Sequence, residues 1–282
     1  MGLQVLGVAA LVVWAVKLVQ VTRSVSRAAQ FWSVPQGEPG DLLYVALGDS
    51  TAQGVGASRP DRGYVGLIAQ RLRAQTGRAV QVVNLSTSGA RIDDVVTQQV
   101  PRMTGLEPDL ITVGIGGNDL LDYDPVEYVQ QVAALTGALP LGAVVADAPY
   151  MMHGHWERDA EEAAAQMTRL GHAHGLVVAP LHDALRREGW SAMTNQFAAD
   201  LFHPNDRGHR VWADAFWKSI REASASNPEQ GGTRMTQEAA TVEAPLDPTG
   251  LGVWEYEGGH LVEDTGGAVR APSTDTSSRP AS

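Results

Sequence analysis

The chain has 282 residues and a formal net charge of −11, from 21 Lys and Arg against 32 Asp and Glu. With 44% hydrophobic residues a sizeable core is affordable, so wholesale disorder is excluded, and the acidic balance without a basic stripe argues against nucleic-acid binding. Cysteine is absent, which removes disulfides, Cys-ligated zinc, iron–sulfur clusters and thiol nucleophiles.

Residues 1–22 come first. Leu3 to Val21 is apolar except for Gln4, Lys17 and Gln20. As a helix it would be roughly 28 Å long, close to the ~30 Å hydrocarbon core. A transmembrane anchor therefore competes with a secretory signal peptide and a buried helix. No Lys or Arg precedes Lys17, as a signal peptide would want, although Ser26-Arg27-Ala28 is a passable cleavage site. The length favours an anchor, which makes a membrane the expected partner. Lys17, Arg23 and Arg27 on the C-terminal flank lean toward a cytoplasmic body; cleavage would instead give a secreted one. Residues 23–40, with Pro35 and Gly37-Glu-Pro-Gly40, read as a linker.

The body, 41–226, alternates short apolar runs with amphipathic segments. The runs are Leu42–Leu47, Val80–Leu85, Leu110–Ile115, Gly142–Ala146 and Leu176–Ala179. Between and after them, helices are predicted over Tyr64–Gln75, Arg91–Met103, Pro125–Gly137, Trp156–His174 and Asp206–Ala223, with Pro101 ending or kinking the second. Five such units predict a three-layer α/β/α fold around a doubly wound, flavodoxin-like parallel sheet of five strands. The last zone, 227–282, holds nine acids against three bases and is rich in Gly, Pro, Ser and Thr. It reads as a disordered acidic tail, and it carries more than half of the net charge.

In doubly wound sheets, sites form at the carboxyl ends of the strands. The residues there are Gly48-Asp49-Ser50-Thr51-Ala52-Gln53-Gly54, Ser86-Thr87-Ser88-Gly89 and Gly116-Gly117-Asn118-Asp119, joined by Asp200-Leu201-Phe202-His203-Pro204 near the end of the body. These residue types suit acyl transfer. A serine hydroxyl needs a base, a histidine serves as one when a carboxylate orients it, and an oxyanion needs fixed N–H donors. Asp200 and His203 lie three apart, so one turn places both on one side.

The four blocks resemble, in order, those of the SGNH hydrolases, the GDSL-type esterase and lipase family, over about residues 41–223. The resemblance implies Ser50 as nucleophile, His203 as base and Asp200 as its orienter. It further implies an oxyanion hole of Ser50 N–H, Gly89 N–H and the Asn118 amide, a small-molecule ester substrate, and no cofactor or metal. One departure is Thr51, where the family's short name has leucine. Met151, Trp156, Trp190 and Phe197 are candidates for an acyl pocket, with core packing an equal contender. Asp49 and Asp119 read as structural. Three other readings compete: a conventional α/β-hydrolase, a metal-dependent phosphoesterase using Gly48-Asp49, Asn118-Asp119 and His153-Gly-His155, and a catalytically silent membrane-tethered binding module. The Ser50-on-first-strand order and the three-residue Asp–His spacing argue against the first. The phosphoesterase pattern lacks an upstream Asp-x-His.

Overall fold

The computed structural model describes residues 19, 21–151, 154–189, 192, 195–226, 254–257 and 260–263. Five strands form one parallel sheet: β1 (Leu42–Gly48), β2 (Val80–Asn84), β3 (Leu110–Gly114), β4 (Val144–Ala146) and β5 (Val177–Ala179). Their order is β2-β1-β3-β4-β5, the doubly wound order expected. Register runs Tyr44 with Val82 on one side of β1 and Tyr44 with Leu110 on the other. β1 is thus the strand at which the winding changes direction, and the crevice beyond its carboxyl end is where such sheets place a site.

Alternation along β1 sends its side chains into two cores. Val45 and Leu47 join Ile92, Val95, Val132, Leu135, Ala163 and Met167. These come from the irregular helix α3 over 92–103, α4 (Pro125–Ala138) and α5 (Gly154–Ala173). Tyr44 and Ala46 face the other way, toward α2 (Tyr64–Thr76), α6 (Leu181–Glu188) and α7 (Asp206–Ser226). There Tyr64 stacks on Phe216 at 5.0 Å and on Trp212 at 5.5 Å. Local signals set the helix ends. Asp124 caps α4 by accepting from the Val126 and Glu127 N–H groups, with Pro125 in the first turn, and Gly77 closes α2 by donating to Arg73 O.

α3 shows how Pro101 acts. Residues Val95–Gln99 widen into a π turn, and Val100–Met103 tightens into a 3₁₀ turn. A proline ring would collide with the carbonyl four residues back, so the chain loosens before it and changes pitch after it.

The N-terminal region departs from the expected linker. Residues 21–31 form a helix, α1, and Ser24, Ala28 and Trp32 are buried. Their spacing of four puts two small residues and one indole on a single helix face, which seats on the body. The indole Nε1–H donates to Gln53 O at 2.9 Å. Gln36 then pairs with Val82 on the outer edge of β2. α6 is a second element that the apolar pattern did not announce. The proposed anchor, apart from Val19 and Val21, lies outside the described residues. Among the described residues no helix is long and apolar enough to cross a membrane.

Residues Glu238–Ser282 form a separate unit. Within it β6 (Trp254–Glu257) and β7 (His260–Glu263) pair antiparallel, with Trp254 opposite Glu263. The rest of the acidic tail, 227–253, 258–259 and 264–282, lies outside the described residues.

Candidate active site

All four sequence blocks meet at the carboxyl edge of β1 and β3. Ser50 follows β1 directly. Its Oγ lies 2.9 Å from His203 Nε2, and His203 Nδ1 lies 2.6 Å from Asp200 Oδ2. Asp200 Oδ1 also accepts the backbone N–H groups of Phe202 and His203, each at 3.1 Å. Burial works to raise the Asp200 pKa, but the hydrogen bonds from the His203 ring and these two N–H groups, with the charge on the imidazole, hold it below the usual carboxylate value. A carboxylate that stays ionised keeps the proton on Nδ1, which leaves Nε2 free to accept the Ser50 proton.

The histidine reaches the serine because two loops come into close contact. Gly56, at φ +89, lies against the histidine loop; a Cβ there would stand 2.9 Å from His203 Cβ and 2.4 Å from Pro204 O. Asn205 braces the histidine loop, donating from Nδ2 to the carbonyls of Asn195 and Phe197.

The three candidate oxyanion donors lie on neighbouring loops. Among the described residues neither Ser50 N–H nor Gly89 N–H meets an acceptor. Gly89 sits at φ +83, a left-handed backbone that glycine adopts without the cost a side chain would add. Asn118 Nδ2 donates one hydrogen to Ala90 O at 2.9 Å, and the second remains available. Two further links tie the Gly89 loop to the Asn118 loop. Ile92 N–H donates to Asp119 Oδ1 at 3.3 Å, and the Arg91 guanidinium pairs with Asp122 at 2.7 Å. Donors on different loops are thereby held at fixed separation, which is what electrostatic stabilisation of an oxyanion requires.

Asp49 and Asp119 have the structural places expected of them. Asp49 Oδ1 accepts Thr51 N–H at 2.8 Å, and burial lifts its pKa to about 6. Burial likewise lifts Asp119 to about 6.

Among the described residues, the pocket candidates Met151, Trp156 and Phe197 stand in three different settings. Met151 is half-buried against the α3–α5 core, and its N–H donates to Glu157. Trp156 is exposed in the first turn of α5, its ring 5.2 Å from that of His155. Phe197 lines a cavity of about 20 Å³ with Tyr150, Leu185, Ala192 and Gln196, room for a water and not for an acyl chain. Trp190 lies outside the described residues, as does His153.

Several supporting residues were not anticipated. Gln99, 1% exposed, turns inward from the π turn and forms a reciprocal pair with Gly48: Gly48 N–H donates to Oε1, and Nε2 donates to Gly48 O, both at 2.8 Å. Position 99 continues the inward face of Ile92 and Val95, which marks a buried polar residue but not its partner. Gln53 donates to Ser86 O at 2.8 Å and accepts from Ser88 Oγ at 2.6 Å, bracing the turn before Gly89. His209 is fully buried; Nδ1 accepts Tyr64 N–H at 3.4 Å and Nε2 donates to Val55 O at 3.1 Å. This pins the loop after Ser50 to α7, and burial pushes the His209 pKa down to about 4, so the ring is neutral.

Residues 46–211 match the model of the GDSL-like lipase/acylhydrolase family. The chain belongs to that family. It resembles the GDSL-like esterase Rv1075c of Mycobacterium tuberculosis (strain ATCC 25618 / H37Rv), with 25% identity over 199 residues, 66% of this chain and 63% of that one. The match therefore spans under two thirds of the relative's own length. Among solved structures, LAE5, an alpha/beta hydrolase enzyme from the metagenome of Lake Arreo, Spain, superposes with a TM-score of 0.55 at 23% identity, over 65% of this chain and 97% of that one. Axe2, an acetylxylan esterase from Geobacillus stearothermophilus, gives a TM-score of 0.52 at 20% identity, over 64% and 94%. At those identities the likeness is one of fold.

Proposed function

We propose that the protein is a carboxylic ester hydrolase working through an acyl-enzyme on Ser50. The observation that carries this reading is the unbroken chain Ser50 Oγ, His203 Nε2, His203 Nδ1 and Asp200 Oδ2, with links of 2.9 and 2.6 Å. Names of its likenesses point the same way, a GDSL-like esterase and an acetylxylan esterase.

In this reading Ser50 Oγ attacks the ester carbonyl while His203 Nε2 takes its proton. The carbonyl oxygen, now negative, accepts from Ser50 N–H, Gly89 N–H and Asn118 Nδ2. The C–O bond to the alcohol breaks, and His203 returns the proton to the departing alkoxide. Water then repeats the sequence on the acyl-Ser50 ester: His203 takes its proton, the oxyanion forms in the same place, and Ser50 leaves with that proton as the acid departs. Asp200 stays ionised throughout and steadies the imidazolium. The stabilisation comes from donors already in place, so little reorganisation is required as charge develops.

The stretch Leu3–Val21 is proposed to hold this hydrolase at a membrane. Retention of the stretch is supported by Ala28, which is 1% exposed within α1. Cleavage after Ala28 would cut a helix that is packed on the catalytic body. A lipid or an acylated envelope component is the substrate class that such a location favours.

The test is labelling with a fluorophosphonate probe alongside p-nitrophenyl acetate hydrolysis. The wild type should label and turn over; Ser50→Ala should do neither. Full activity in Ser50→Ala would end this reading.

A further inference from the structure

Leu201 is the one non-glycine residue with positive φ among the described residues, at φ +55. Glycine or asparagine adopts that left-handed backbone at lower cost than leucine does. The turn itself is needed, because it aims the Phe202 and His203 N–H groups at Asp200 Oδ1. A leucine side chain is not needed for that. It is 66% exposed, so it gains little from packing within the chain. Phe202 beside it is 41% exposed, and its ring stands edge-on to the His203 imidazole with centroids 5.2 Å apart. Apolar surface thus begins where the catalytic imidazole ends. Two more exposed apolar side chains follow strands at the same edge of the sheet: Leu121, in the 3₁₀ turn after Asn118, and Trp156, at the start of α5.

We propose that Leu201 and Phe202 form a contact site for the hydrocarbon part of the ester, and so set a preference for apolar esters. The proposal rests on the ester-hydrolase reading and names its substrate class. Those hydrogen bonds to Asp200 explain the turn, but among the described residues nothing covers the water-exposed leucine side chain placed on it. A hydrocarbon arm lying over both side chains does so, removing apolar surface from water on substrate and protein together. The occupant is an arm of the bound ester, because any acyl group on Ser50 lies beside His203 and hence beside Phe202.

The experiment compares p-nitrophenyl octanoate with p-nitrophenyl acetate in the full chain, in Leu201→Asn and in Leu201→Asp. The octanoate-to-acetate ratio of kcat/KM should fall about tenfold in both variants, the scale expected when an apolar side chain loses its contact. Leu201→Asn should unfold at a temperature equal to or above that of the wild type, since asparagine suits the backbone there. Running octanoate as a monomer and again in phosphatidylcholine vesicles separates two sources of hydrocarbon. A loss in both arms supports the proposal, and a loss in vesicles alone assigns the side chains to a lipid surface and overturns it. An unchanged ratio in both arms, or a lowered unfolding temperature in Leu201→Asn, overturns the proposal. A wild type that hydrolyses neither ester would instead sink the ester-hydrolase reading beneath it.

Discussion

Replacing Gln99 with methionine tests whether a side chain 49 positions downstream holds the Ser50 turn in place. Methionine keeps the length and volume of glutamine, so no cavity opens, and only the polar ends are lost. Gly48 N–H then has no acceptor in a buried position, at a cost of about 1–3 kcal/mol. Gly48 O loses the Gln99 amide but keeps the N–H of Thr87 at 3.1 Å, so that loss is smaller, about 0.5–1.5 kcal/mol. Together they make roughly 2–4 kcal/mol, which lowers the thermal midpoint of a domain this size by roughly 5–15 °C. Ser50 lies two residues from Gly48, so kcat should fall roughly 10–10²-fold at nearly constant KM as the nucleophile drifts. Circular dichroism melts and p-nitrophenyl acetate kinetics read both effects. Gln99→Glu sharpens the comparison, because it still accepts from Gly48 N–H but sets a carboxylate oxygen against Gly48 O. An unchanged melting midpoint in Gln99→Met would show that the clamp contributes nothing and refute the argument.

Two other outcomes follow from the same geometry. Asn118→Ala should lower kcat by about 10²–10³ with little change in KM, because the amide acts on charge that exists only in the transition state; an unaltered kcat removes Asn118 from the hole. His209 carries a pH dependence of known sign. Its folded pKa is depressed to about 4 from 6.5, so its contribution is present above about 6.5 and is lost as the pH falls toward 4, up to about 3 kcal/mol. Asp49, Asp119 and Asp147, lifted by burial to about 6, 6 and 7, act in the opposite direction, their contributions fading as the pH rises through those values. His209→Gln keeps both hydrogen bonds and has no proton to gain. Urea unfolding of the two proteins at pH 7 and pH 4.5 should therefore differ more steeply for the wild type, and parallel slopes would contradict the assignment.

The sheet was legible in the chain because a parallel strand is buried on both faces and leaves a plain apolar run. The candidate site was legible in part because Ser50, Gly89 and Asn118 follow strand ends, where few residues compete for attention, and in part because Asp200 and His203 lie three apart in one loop before α7. What escaped has a common cause. Gln99, Gln53 and His209 bind backbone groups far away in sequence, and no local pattern encodes a partner 51, 33 or 154 positions distant. α1 was hidden by its neighbours: Arg23 and Arg27 suggested a charged flank and Pro35 with Gly37 suggested looseness, while the spacing Ser24, Ala28, Trp32 went unweighed. The strain at Leu201 belongs to φ and has no signature in composition at all.

α1 changes the mechanics of the proposed attachment. A free chain over residues 23–40 would have let the hydrolase wander by roughly 25 Å about its point of attachment. With Ser24, Ala28 and Trp32 seated on the body, that freedom is gone: the helix is a stem and not a leash. Force or rotation applied at residue 21 passes through the Trp32 indole to Gln53, and from Gln53 to the turn that presents Gly89. Under the proposed anchoring, the direction in which the Ser50 site points would then be inherited from the membrane segment upstream.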